Sequence, residues 1–343
     1  EIHKTNKYFY VQLAEIYTKK NNYQAAIETY QSMFENCTDA NEYLFELAAL
    51  YIFQEKYDKS IAIYNQVEDI YGINDQITTQ KQKLYIQLND LDGAVKEGEK
   101  LIEAYPGEAD YVISLAEILS SNGKTTEAKK YLEGYLMEFD DNEPRIKIIL
   151  ADIYKTLGEK EKSNKFLLDA ISNPQMEYLT KLKVINNYIQ QLPNKDIEEI
   201  CLELTAKLIE VHPEEADSYA VAGDIFMETQ QEDSAIEMYD KALDKGADNY
   251  NVWHNIIRLS YVKEKYSDVI RYSEEAIEYY PNQVFLFFFL GSAHLVNKEY
   301  EDAVDALEMG KKLSGKNDEL KSTINAQLGD AYHYLKNYEN SDG

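Results

Sequence analysis

The sequence predicts an all-α fold, a solenoid of about nine and a half helix-turn-helix repeats forming one array over residues 1–343. Three observations predict it. Apolar residues recur at the 3.6 spacing of amphipathic helices. In Tyr250–Gln283, for example, Trp253, Ile256 and Ile257 share one helix face, and Val269, Ser273 and Ala276 mark the inner face of the next. Small residues return at a fixed interval. Ala14, Ala48, Gln82 and Ala116 are each 34 apart, as are Ala26, Ser60, Ala94 and Ala128, and later Gly223, Ile257 and Gly291. Self-similarity at this period is the mark of a solenoid. Strand-type alternation is absent throughout, so no sheet is expected.

The columns have a packing reason. A lone hairpin cannot bury its apolar face, so it needs neighbours on both sides. Small residues let two helices approach closely. The 30 tyrosines suit the wedges between repeats, with the phenol oxygen near water. A tyrosine-rich carbohydrate surface is the competing use, and the placement of tyrosines in repeat columns favours packing.

Taken in order, repeat 1 covers about residues 7–40, with Leu13, Ala14, Tyr17, Tyr23, Ala26 and Tyr30. Repeat 2 covers 41–74. Repeat 3, 75–108, starts irregularly with Gln82 in the small column and recovers at Ala94, Leu101 and Pro106. Repeat 4, 109–142, uses Leu115, Ala116, Ala128 and Leu132. Repeat 5, 143–176, uses Leu150, Ala151, Tyr154 and Ala170 and closes near Pro174. Repeat 6, 177–214, is four residues longer. The extra length falls at residues 191–196, where Pro193 and Asn194 read as a lengthened turn. Repeats 7, 8 and 9 cover 216–249, 250–283 and 284–317, and proline at Pro281 ends the second helix of repeat 8. A partial tenth repeat, 322–343, supplies a lid helix with Leu328, Gly329 and Tyr332, and the closing NYENSDG falls at its turn.

These residues resemble the tetratricopeptide repeat: a large residue, Leu-Gly/Ala and Tyr in the first helix, then Ala, an aromatic and Ala in the second, then Pro. The strongest copies are Trp253–Tyr266–Val269–Ala276–Pro281 and Leu290–Gly291–Tyr300–Ala303. The resemblance covers nearly the whole chain. It implies a right-handed superhelix whose first helices line a concave groove and hold a peptide or partner segment. It also implies a scaffold rather than an enzyme.

Composition narrows the partners. The formal net charge of −27 opposes nucleic acid, whose main affinity comes from cationic contacts to phosphate, and it opposes anionic lipid. It favours basic partners. No apolar run is long enough to span a membrane; the most apolar, Val284–Leu290, is short. The compartment stays open between cytoplasm and, if a signal peptide has been removed, cell envelope. Cys37 and Cys201 fall in repeats 1 and 6, too far apart in a solenoid to bridge.

The motifs of chemistry are missing. His3, His212, His254, His294 and His333 show no zinc-helix spacing, and His294 reads as a packed residue in a tyrosine column. Gly123-Lys124-Thr125 looks like the end of a phosphate loop, but the first glycine of that motif would stand at Ile118, and Gly123 reads as a turn. No nucleophile elbow occurs. No catalytic residue, metal ligand or cofactor is expected.

What remains is surface. The resemblance implies that positions 2, 5, 9 and 12 of each first helix face the groove, and these share one helix stripe. From them the expected binding residues are Glu15, Glu42, Phe45, Lys83, Arg145, Asp224, Arg258, Tyr261, Phe285, Phe288 and Leu295. The last four suggest an apolar docking patch near repeats 8 and 9. Relatives that clamp a chaperone's terminal carboxylate do so with Lys and Asn. The matching places here hold Val11, Glu15, Tyr43 or Leu44, Gln76 and Gln80, so that role is not expected. The expected partner is a basic or apolar protein segment. Self-association as a homodimer through VFLFFFL is a further reading. The alternative from another class is the recognition arm of a larger enzyme or sensor, of glycosyltransferase or histidine kinase type.

Overall fold

The computed structural model describes residues 5–336. His3 and residues 337–343, which carry the closing stretch of the expected tenth repeat, lie outside them. The described residues form nineteen α-helices, one short 3-10 turn at Asn41–Tyr43 and no strand. The chain divides into two compact units, residues 1–166 and 167–343.

Unit 1 pairs α1 (Lys7–Lys19) with α2 (Tyr23–Asn36), α3 (Leu44–Phe53) with α4 (Tyr57–Tyr71), α5 (Asp75–Gln87) with α6 (Leu91–Ala104), and α7 (Ala109–Ser121) with α8 (Thr125–Glu138). α9 (Pro144–Thr156) is followed by α10 (Lys160–Ser172), which carries the division between the units. Unit 2 contains α11 (Tyr178–Ile189), α12 (Lys195–Val211), α13 (Ala216–Glu228), α14 (Glu232–Asp244), α15 (Tyr250–Val262), α16 (Tyr266–Tyr279), α17 (Val284–Asn297), α18 (Tyr300–Leu313) and α19 (Asp318–Tyr334). Within each unit a helix packs chiefly on those before and after it.

The local sequence explains the helix ends. Asn6, Asn22, Asn74, Asp90, Asn249 and Asn317 each accept a first-turn backbone N–H through the side chain, satisfying a donor that the helix leaves free. The turns inside the hairpins, α11–α12 apart, have their own column. Asn21, Glu55, Asn89, Gly123 and Gly158 in unit 1, and Gln230, Glu264 and Lys298 in unit 2, all take positive φ, as does Lys336 after α19. Gly123 is therefore a hairpin turn (φ 76°), and Thr125 starts α8 rather than a phosphate loop. In the longer repeat, Gln190 caps α11 and Asn194 caps α12. Between them the Leu192–Pro193 bond is cis, and the rest of the added length goes into α12, which has 17 residues.

The small columns are the contact lines of the hairpins. Ala14, Ala48, Ala116, Ala26, Ala94 and Ala128 are fully buried. Where serine replaces alanine, its hydroxyl finds a carbonyl on the facing helix: Ser60 Oγ donates to Ala48 O at 3.0 Å, and Ser163 Oγ to Ala151 O at 2.7 Å. Such pairing removes the cost of a buried unsatisfied hydroxyl. Gln82, too long for its column, is also buried. Its amide donates to Ala94 O at 3.2 Å, and room for it comes from Gly98, whose Cβ would lie 2.7 Å from Gln82 Nε2.

The tyrosines add to one expectation. Several of their hydroxyls, near water as expected, are also bonded to acids of the preceding hairpin. Tyr131 donates to Glu99 (2.5 Å), Tyr272 to Asp240 (2.5 Å) and Tyr280 to Asp248 (2.9 Å), each 32 residues back. Burial, with help from Glu99, pushes the Tyr131 hydroxyl up to about 12. Part of the acidic composition therefore serves as acceptors that tie one hairpin to the next.

Candidate functional site

The expected site residues divide by unit. In unit 2, α15 and α17 bring together an aromatic run. The His254 ring lies 4.0 Å from Phe285, Phe285 lies 4.4 Å from Phe289, and Phe289 meets Tyr261 at 4.9 Å and Phe288 at 5.1 Å. The patch is less open than the sequence suggests. Tyr261, Phe285, Phe288 and Leu295 are all half-buried, because Tyr261 and Phe285 pack on the core of unit 2 and Phe288 packs against Leu307, Ile324 and Leu328. Phe289 joins the face although the four-position rule omits it. It stands one helical turn after Phe285 and so shares its side.

Beside the rings lies a polar group. Asp224 accepts a hydrogen bond from Tyr239 Oη at 2.6 Å, and Asn255 Nδ2 donates to the same hydroxyl at 3.1 Å. Burial pushes the Asp224 carboxyl above its ordinary range, with the Tyr239 hydrogen bond opposing. Arg258 reaches Met227 Sδ at 3.4 Å and forms no ion pair among the described residues. A half-buried guanidinium with no carboxylate is a donor group left for something else.

Unit 1 treats its expected residues differently. Arg145 is held by Glu143 (2.9 Å) and by Asp110 of the preceding hairpin (2.5 Å). Glu42 pairs with Lys7 at 3.2 Å. Phe45 is 39% exposed and meets Tyr64 edge-on at 6.4 Å. Lys83 is exposed on α5 and forms no ion pair among the described residues. Glu15 is drawn instead into a pocket of about 360 Å³ between α1 and α3, with Tyr30, Tyr43, Glu46 and Phe53. Sequence reasoning missed Tyr30 because it belongs to a second helix, and Glu46 because it stands one place off the stripe.

The described residues contain no group of three or more His, Cys, Asp or Glu arranged to hold a metal ion. No helix among them is long and apolar enough to cross a membrane. Both cysteines are buried. His294 is buried, with Nδ1 2.6 Å from Glu299.

Family profiles described as tetratricopeptide repeat match residues 83–167, 10–36, and 42–73 with 216–244, together about half of the chain. The chain belongs to the tetratricopeptide repeat family. Among curated proteins it is 25% identical over 236 residues to tetratricopeptide repeat protein 21B of Xenopus laevis, covering 67% of this chain and 18% of that protein. It is 23% identical over 313 residues to TPR repeat-containing protein MJ1428 of Methanocaldococcus jannaschii, covering 78% and 55%. The chain thus spans under a fifth of the first relative and about half of the second. Among solved structures, YrrB, described as a TPR protein with an unusual peptide-binding site, aligns with a TM-score of 0.40 and 18% identity over 48% of this chain and 87% of that one.

Proposed function

We propose that the protein is a non-catalytic interaction scaffold that holds a segment of a protein partner along the first helices of its hairpins. The observation that carries this reading is the face of α15 and α17. It combines a connected run of half-buried rings, Tyr261, Phe285, Phe288 and Phe289, with the unpaired guanidinium of Arg258. Half-buried rings suit an anchor role. They are already ordered by their neighbours, so a partner side chain gains contact area without paying to fix them. On the second-helix side, Tyr272 and Tyr280 are instead engaged with Asp240 and Asp248 of the neighbouring hairpin.

A photo-crosslinking residue at Asn251, exposed on α15, should capture a protein partner in the cells that make this protein. The same residue at Glu274, exposed on α16, should capture none. Equal capture at both positions, or crosslinks at Glu274 alone, would count against the first-helix face.

A further inference from the structure

We propose that the unit 1 pocket between α1 and α3 receives a basic side chain, arginine or lysine, from the bound partner segment; this rests on the scaffold reading above and names the chemistry of one of its contacts. The pocket, about 360 Å³, is large enough for one long side chain and too small for a helix. Two carboxylates line it, Glu15 from α1 and Glu46 from α3, and neither forms a hydrogen bond or an ion pair among the described residues. Elsewhere in unit 1 carboxylates such as Asp39, Glu42, Glu68 and Glu143 have cationic partners. Lys19 also lines the pocket, but it is exposed and joined to neither acid.

The second observation is Tyr30. It is only 4% exposed, lines the same pocket and makes no hydrogen bond. Burial first, then the charges of Glu46 and Glu15, push its hydroxyl up to about 12. The two acids therefore act on a buried phenol that has no partner of its own. Tyr43 stacks against Tyr30 with ring centres 6.4 Å apart, and Phe53 stacks on Tyr23 at 5.5 Å. The pocket is thus an apolar and aromatic recess that carries two unpaired anions and one hydroxyl with no partner among the described residues.

A guanidinium or ammonium answers each feature. It gives charge-assisted hydrogen bonds to the carboxylates, and its cation can lie against the ring faces. Its aliphatic stem can cover the apolar floor. A carboxylate or phosphate would meet two like charges, and a neutral amide would leave them unneutralised. The net charge of −27 draws basic segments toward the protein before contact.

The test uses the full chain with methyl-labelled alanine and valine, titrated with short acetylated and amidated peptides that carry Arg, Lys, Gln or Glu between glycines. The Arg and Lys peptides should move the Ala49 and Val11 methyl signals, and added salt should weaken the effect. Glu15→Gln with Glu46→Gln should weaken Arg-peptide binding at least about tenfold. Both positions are exposed, so folding should be kept. A Gln peptide that moves the same methyls equally would overturn the proposal, as would an unchanged titration of the double variant or silence from both basic peptides. If Asn251 still captures its partner in that event, only the pocket assignment falls. If that capture fails too, the scaffold reading falls with it.

Discussion

Replacing Lys81 by methionine is expected to destabilise unit 1 by about 3–5 kcal/mol, because it removes the buried cation shared by buried Glu97 and partly buried Glu68 and leaves them only Lys100 at the surface. Lys81 is 0% exposed, and its ammonium lies 2.7 Å from Glu68 and 2.8 Å from Glu97, the latter contact being an ion pair off the angle of a hydrogen bond. Lys100 closes the group from the surface at 3.1 Å to each acid. The four charges join α4, α5 and α6. Burial raises the Glu68 carboxyl, and the hydrogen bonds from Lys81 and Lys100 more than reverse this, so the net shift is downward. The stability linked to Glu68 is therefore present above the ordinary carboxylate range and fades as pH falls through its lowered folded value. Urea unfolding measures the effect. The apolar triple variant Glu68→Leu, Lys81→Met, Glu97→Leu should regain most of the loss, since it removes the buried charges along with their cation. A single variant within about 1 kcal/mol of wild type would contradict this reading.

The second large effect is expected at Gly291, where α17 crosses α18. A Cβ there would lie 2.5 Å from Leu307 Cγ and 3.2 Å from the carbonyl of Ala303. Leu307 is fully buried and the carbonyl is backbone, so neither can move aside cheaply. Gly291→Leu should cost about 3 kcal/mol by overpacking. Leu307→Ala alone should cost about 2–5 kcal/mol by opening a cavity. Because one change fills the space that the other empties, the double variant should cost clearly less than the sum of the two. Simple additivity in urea unfolding would show that the two side chains do not share that space.

The fold was largely written in the small columns. Ala14, Ala48 and Ala116, set 34 apart, are the fully buried contact points of successive hairpins. The turns are periodic as well, but most of them carry Asn, Glu, Gln or Lys at positive φ, so residue type alone did not mark them. The exception at Gln82 became intelligible only with Gly98 opposite, a pairing of residues 16 apart that no column reveals. The site was less legible. The stripe rule picked out Tyr261, Phe285 and Phe288, yet it gave Arg145 the same standing as Arg258. Arg145 is consumed by Asp110 and Glu143, whereas Arg258 is left without an acid. In a chain with 62 acidic residues, which carboxylates are paired is decided by three-dimensional neighbours. The buried Lys81 group and the unpaired Glu15 and Glu46 therefore looked alike in sequence.

The central claim is that a partner is held on the first helices of the hairpins. The most direct measurement is amide hydrogen exchange along the full chain, free and with the partner captured through Asn251 bound. Exchange should slow in α15 and α17 on binding and stay unchanged in α16 and α18. Protection confined to α16 and α18 would contradict the account.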